Sequence, residues 1–291
     1  MELEKYSQKG SGVVEVLVDR VKDIITPSRG TWGIVLEDLV TGDKWELNSK
    51  ELFYAASVIK VPIMAAVFAE EEKGALSLHD PFVLREEDLV GGSGVLQHLT
   101  PGTSLPIRDL VMLMIIQSDN SATNMLIDLL GIEAIATFMK EAGMEYSTFY
   151  NKLMMNNPNP KGYNVIAAAD IAILLNKIAK QQLVSERASD EMLSIMKKQQ
   201  IQDCLPHRFP SPYSNYNNGS PAWEMAHKTG WVPGTRHDVG ILYVGNHKLS
   251  ITVLSKEEDD LVSKTILTEI GAAAYEYLAS KALGTVKTER G

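Results

Sequence analysis

The feature that most constrains this chain is a change of hydrophobic period along its length. Both ends alternate with the two-residue period of strands, and the long middle follows the 3.6-residue period of helices. Near the start, TWGIVLEDLVTGDKWELN reads as a hairpin, with a strand at 32–38, a turn at Thr41-Gly42-Asp43 and a strand at 44–47. Near the end, 224–228, 238–244 and 249–255 read as an antiparallel meander. An amphipathic helix flanks each group: 12–25, with Val13, Val14, Leu17 and Val21 on one face, and 260–281. Strands at both ends bracketing a helical middle describe an α+β fold in which the two termini share one sheet. The expected division is a sheet with terminal helices from 1–56 and 206–291, and an inserted all-helical subdomain from 57–205.

Within the middle, apolar helices are expected at 104–117 and 121–131, then over IEAIATFMKEAG, AAADIAILLNKIAK and SERASDEMLSIMKKQ, the last with Ser185 as N-cap. MEYSTFYNKLMMNNPNPKGYNV, between the third and fourth, is rich in Asn and Pro and lacks periodicity, so it reads as a long loop. Loops of that length in compact domains are functional or disordered.

The stretch AASVIKVPIMAAVFAEEEKG opens the helical middle and holds Ser57 and Lys60 one turn apart in apolar company. A serine at a helix mouth sits among free N–H groups and the positive dipole end, which suits a nucleophile and an oxyanion site. A lysine in apolar surroundings loses proton affinity and can serve as a base. Pro62 implies a kink or a slightly later helix start. Taken alone, the pair reads as an N-cap serine with a snorkelling lysine. Ser118-Asp119-Asn120 lies between two expected helices, and Lys228-Thr229-Gly230 ends an expected strand. Each alone reads as an ordinary cap or turn.

Together and in this order, S-x-x-K, S-D-N and K-T-G resemble the motif set of class A β-lactamases and penicillin-binding enzymes. GSGVLQHLTPGTSLPIRDLVMLMIIQSDNSATNMLIDLLG and HKTGWVPGTRHDVGILY extend that similarity along nearly the whole chain. The resemblance implies a β-lactamase-like fold with the active site at the junction of the two parts. It implies that Ser57 is acylated by the substrate amide, that Lys60 takes its proton, and that Ser118 shuttles a proton to the leaving nitrogen. It implies an oxyanion hole from the N–H groups of Ser57 and Trp231. Asn120 would bind the substrate's side-chain amide and orient Lys60. Lys228, Thr229 and Arg236 would hold the substrate carboxylate, and Gly230, without a side chain, would let another group lie against the strand edge. Asp119 is expected to hold the interhelical turn.

The chain departs from the family in its long loop. Class A enzymes carry a glutamate there that activates the deacylating water, but no Asp or Glu stands between Glu145 and Asp170. Nearby Asn151, Lys152, Asn156 and Asn157 are poor substitutes for a carboxylate base. Acylation is therefore expected to survive and deacylation to be slow, unless Lys60 serves both steps or Glu145 or Asp170 reaches the site. An esterase, amidase or D-Ala-D-Ala peptidase on the same scaffold, or a covalent β-lactam sensor, are the alternatives.

The remaining features narrow the class. A net charge of −9 disfavours nucleic acid and anionic membranes as partners and suits a small-molecule substrate. The single cysteine, Cys204, permits no intramolecular disulfide and reads as a small apolar residue. The six histidines show no HxH or HExxH spacing, so no metal or other cofactor is expected. His227 reads as a strand histidine with a satisfied hydrogen bond. The sequence as written begins MELEKYSQKGSG, without a signal-peptide pattern, so a cytoplasmic monomer is expected, or a secreted one if a leader has been removed.

Overall fold

The computed structural model describes residues 14–154, 159–211 and 222–288. The sequence readings on residues 1–13, on Asn156 and Asn157, and on most of the polar stretch 207–223 lie outside the described residues.

In chain order the elements are α1 (Val14–Ile25), β1 (Thr31–Asp38), β2 (Lys44–Leu47), β3 (Leu52–Tyr54) and α2 (Lys60–Glu72). Then come β4 (Pro81–Val83), β5 (Ser104–Pro106), α3 (Ile107–Ile116), α4 (Asn120–Leu130) and α5 (Ile132–Glu141). The chain continues through β6 (Val165–Ala167), α6 (Ala168–Ala179), α7 (Glu186–Met196), β7 (Glu224–Val232), β8 (Thr235–Val244), β9 (His247–Lys256) and α8 (Asp260–Thr288). Five strands form one antiparallel sheet in the order β2-β1-β9-β8-β7, so the two ends of the chain do share a sheet. β7 and β2 are its two edge strands.

The central strands β1, β8 and β9 are buried on both faces, and they bury polar side chains such as His237, Asp238, Ser250 and Thr252 beside their apolar ones. Ile34, Leu36, Leu249, Ile251 and Val253 pack with α1 and α8, while Val35, Val239, Ile241 and Leu254 turn toward the helical middle. At the centre of that middle runs α2, buried from Lys60 through Ala69. A helix apolar all round is a core helix, and Lys60 is carried into that core with it.

Several local readings shift. The α3 helix begins three residues later than its apolar run suggests, because residues 104–106 pair with β4 and Pro106 caps the helix in an extended conformation. The helical middle also carries β6, which forms a separate two-stranded pair with β3, so the long loop is tied to the strand that leads to Ser57. Ser57 lies in a 3₁₀ turn, Ala56–Ile59, and α2 proper starts at Lys60. Pro62 then falls in the first helical turn, where its missing N–H leaves no bond unmade. Ser185 caps α7 by accepting from Ala188 N–H. Among the described residues no single helix is long and apolar enough to cross a membrane.

Candidate active site

Ser57, Ser118, Asn120, Thr229, Gly230, Trp231 and Arg236 line one cleft of about 600 Å³. Lys60 and Lys228 lie fully buried behind its wall. Lys60 Nζ is 3.0 Å from Ser57 Oγ and 3.0 Å from Ser118 Oγ, and Lys228 Nζ is 3.1 Å from the same Ser118 hydroxyl. A continuous hydrogen-bonded line thus runs Ser57–Lys60–Ser118–Lys228 across residues 171 positions apart in sequence.

Two further acceptors define what Lys60 can do. Its Nζ donates to Ser118 C=O at 2.6 Å and to Asn120 Oδ1 at 2.9 Å. Neither oxygen can donate in return. A neutral amine has two N–H bonds, which these acceptors use, and its single lone pair is left to accept from one of the two hydroxyls, that of Ser57 or that of Ser118. Burial, and after it the charge of Lys228, push the Lys60 ammonium well below the usual lysine range, with Asp119 opposing. Burial likewise lowers Lys228 to about 7, against a smaller opposing effect of Asp238. Both lysines are therefore more easily held in the neutral form than a surface lysine.

The nucleophile's turn rests on the edge of β7. A Cβ added at Gly230 would lie 3.2 Å from the backbone nitrogens of both Ser57 and Val58, tighter than ordinary contact. The glycine of the third motif is thus a condition for bringing the 3₁₀ turn against the strand. Which backbone groups face that turn follows from the hairpin. Val232 and Thr235 flank the two-residue turn Pro233-Gly234 and form its hydrogen-bonded pair. Alternation then sends the main-chain groups of His227, Thr229 and Trp231 to the free edge. Thr229 C=O accepts there from Lys228 Nζ at 2.8 Å, and His227 C=O from Gln199 at 3.4 Å. By the same alternation Trp231 N–H lies on that edge, next in sequence to the Gly230 that faces the Ser57 turn.

Backbone strain accumulates at the same place. Ala56 and Ser118, neither of them glycine, have φ of +42° and +53°. Each is a left-handed conformation that an L-residue adopts at a cost of roughly 1–2 kcal/mol. The turn bearing Ser118 is held by Asp119. Its side chain accepts from Val95 N–H at 2.6 Å, Leu96 N–H at 2.8 Å and Ala122 N–H at 2.9 Å, so it caps α4 and pins the preceding loop. Asn120 completes the frame by donating from Nδ2 to Gly91 C=O at 3.0 Å.

Arg236 faces Trp231 across the hairpin, its guanidinium 5.6 Å from the indole centroid. Asp203, a cleft residue with no sequence signal, is 3.8 Å from Arg236 and 2.9 Å from Lys264. Burial alone would raise the Asp203 carboxyl, but the hydrogen bond and charge of Lys264, helped by Arg236, hold it below the usual range. Cys204 is buried in the same wall, and burial pushes its thiol up.

The long loop approaches the cleft through Leu153 and Met154. Asn124 grips Leu153 on both sides, donating to its C=O at 3.1 Å and accepting from its N–H at 2.8 Å. Asn164 accepts from Tyr150 N–H at 2.7 Å and Asn151 N–H at 3.0 Å and returns a bond to Asn151 C=O. Neither acidic residue at the loop's borders reaches the cleft. The Asp170 carboxylate is buried and accepts from the N–H groups of Glu145, Tyr146 and Ser147 and from the Ser147 hydroxyl. Glu145 is exposed, and it and Tyr150 border a separate surface depression. Among the described residues, Asp203 is the only carboxylate lining the cleft. His227 is buried, with Nδ1 2.9 Å from Asp238. Among the described residues no three His, Cys, Asp or Glu side chains group as metal ligands.

Asn124 did carry a signal, since it stands four residues after Asn120 on one helix face. Asn164, His237 and Asp203 did not, because only the tertiary register brings them to the site.

Residues 16–278 match the model of a family described as the β-lactamase enzyme family. A β-lactamase of Rhodobacter capsulatus is 27% identical over 230 residues, covering 79% of this chain and 76% of that protein. The crystal structure of a β-lactamase from Sphaerobacter thermophilus superposes with a TM-score of 0.80 at 29% identity, covering 89% of this chain and 95% of the other. A leucine-to-glutamate variant of PBP-A, solved as an acyl-enzyme with penicillin G, superposes with a TM-score of 0.77 at 26% identity, covering 92% and 97%.

Proposed function

This chain belongs to the β-lactamase enzyme family, and on that premise we propose that it opens β-lactam amides through an acyl-enzyme on Ser57 and releases the acyl group slowly. The observation that carries the reading is the line of four hydrogen-bonded side chains, Ser57–Lys60–Ser118–Lys228, ending at the cleft.

In the forward step, neutral Lys60 accepts the Ser57 hydroxyl proton as Oγ attacks the amide carbonyl carbon. The carbonyl oxygen becomes an oxyanion that accepts from the N–H groups of Ser57 and Trp231. As the C–N bond breaks, the leaving nitrogen takes a proton from the Ser118 hydroxyl, which is replenished from Lys60 or Lys228. The product is an ester on Ser57 with its amine proton balance closed. Thr229, Lys228 and Arg236 draw the substrate carboxylate to the strand edge, which suits a guanidinium fork and a buried cation. Asn120 orients Lys60 and borders the acyl side.

Hydrolysis of that ester needs a second, water-activating base. The loop that borders the cleft offers Leu153 and Met154, Asp170 is committed to backbone N–H groups, and Asp203 is committed to Lys264 and Arg236. Loss of general-base assistance typically costs about 10²–10⁴-fold in rate. The leucine-to-glutamate PBP-A variant, solved as an acyl-enzyme with penicillin G, supports the acylation step on this scaffold.

The test is intact-protein mass spectrometry after mixing with penicillin G, followed by peptide mapping. A one-to-one adduct on Ser57 that outlasts removal of free penicillin is expected. Rapid return of the unmodified mass at high turnover would reject slow release, and an adduct elsewhere would reject Ser57. A panel of nitrocefin, p-nitrophenyl esters and D-Ala-D-Ala peptides ranks the substrate classes that could share this site.

A further inference from the structure

Residues 54–58 carry the nucleophile into the cleft, and little of their course is set by regular structure. β3 ends at Tyr54, Ala56 is left-handed, and the 3₁₀ turn begins there. A strained segment persists only where its surroundings over-determine it. Two main-chain ties hold this one ahead of the turn. Ala55 N–H donates to Asn164 C=O at 3.0 Å. Tyr54 C=O accepts from Nε2 of His237 at 2.8 Å.

The direction of the second tie is fixed by the protein itself. His237 is fully buried, and its Nδ1 accepts from Ser255 N–H at 3.2 Å. A backbone N–H can only donate, so the imidazole hydrogen resides on Nε2 and points at Tyr54. The ring is set edge-on against Phe53 at 6.2 Å. His237 stands directly opposite Gly230 in the β7–β8 register, and directly opposed residues share a sheet face. On that one face the glycine leaves room for the Ser57 turn, and its partner across the ladder ties down the chain that enters the turn. Ser255 also donates through Oγ to Arg236 C=O at 2.6 Å, so the same residue anchors the histidine and the strand segment bearing Arg236.

We propose that His237 is a positioning residue for the nucleophile, holding Tyr54 so that the Ser57 turn keeps its height against the Gly230 edge. It does not line the cleft and touches no reacting atom. This inference rests on the reading of Ser57 as the acylated residue.

Two variants test it. His237→Gln keeps an N–H donor near the Nε2 position, and His237→Phe keeps the ring without a donor. Acylation by penicillin G is followed by intact mass across penicillin concentrations, and amide hydrogen exchange is read over residues 54–58. For His237→Phe the limiting acylation rate is expected to fall at least about tenfold, with the half-saturating concentration unchanged and with faster exchange at 54–58. His237→Gln is expected to restore both readouts to within about threefold of the parent. Parent-like acylation in His237→Phe, or parent-like exchange at 54–58 in a folded His237→Phe protein, overturns the inference. If the parent takes no adduct on Ser57, the functional reading fails by itself, and the exchange comparison still decides whether His237 holds the turn.

Discussion

Leu153→Glu supplies the carboxylate that the cleft-side loop lacks. Leu153 is the suitable position because Asn124 holds both of its main-chain groups and the residue borders the cleft that contains Ser57. The substitution leaves those backbone bonds in place, so the new carboxylate is delivered by an already fixed chain. General-base assistance of about 10²–10⁴-fold corresponds to lowering the deacylation barrier by about 3–5 kcal/mol. Leu153 is only half-buried, so removing its packing costs about 1–2 kcal/mol of stability, less than a typical domain's margin. The assay acylates the protein with penicillin G, removes free penicillin, and follows recovery of the unmodified mass. The acyl-enzyme lifetime is expected to shorten by about 10²–10⁴-fold, with Leu153→Gln remaining close to the parent. A folded Leu153→Glu protein that acylates at the parent rate yet keeps a lifetime within about threefold of the parent would refute the reasoning. The missing carboxylate would then not be what limits release.

Three other outcomes follow from single distances or angles. Gly230→Ala places a Cβ 3.2 Å from the Ser57 and Val58 nitrogens, so the turn must move, and penicillin acylation in the folded variant should slow at least about tenfold. Ala56→Gly removes left-handed strain of about 1–2 kcal/mol at a chain-entropy cost of about 0.5–1 kcal/mol, so denaturant titration should show a net gain of up to about 1 kcal/mol. Burial lowers His237 from 6.5 to about 4, opposed by the backbone groups of Tyr54 and Arg236, so between these values the unfolded chain binds the proton that the folded chain refuses. Stability is therefore full above 6.5 and is lost as pH falls to about 4, by about 3 kcal/mol. Urea titrations across that window should show His237→Gln losing correspondingly less.

What could be read from the sequence divides along a physical line. Groups within one element or motif were legible: the hairpin, the meander, the Ser185 cap, and the pairing of a helix-mouth serine with a buried lysine. The later helix start that Pro62 implies is present, but its form, a 3₁₀ turn beginning at the strained Ala56, carries no sequence signal. The acid-free composition of the loop was legible, but its closure by the amides of Asn124 and Asn164 was not. Those bonds join residues about 13–29 positions apart. Asp203 and His237 were invisible for the same reason: one gains its place from Lys264 and Arg236, the other from the strand register opposite Gly230.

The most direct measurement is stopped-flow hydrolysis of nitrocefin at several enzyme concentrations. A burst of one equivalent per protein, then a slow steady phase, with both lost in Ser57→Ala, is the predicted result. Fast linear turnover without a burst, or a burst that survives in Ser57→Ala, would contradict it.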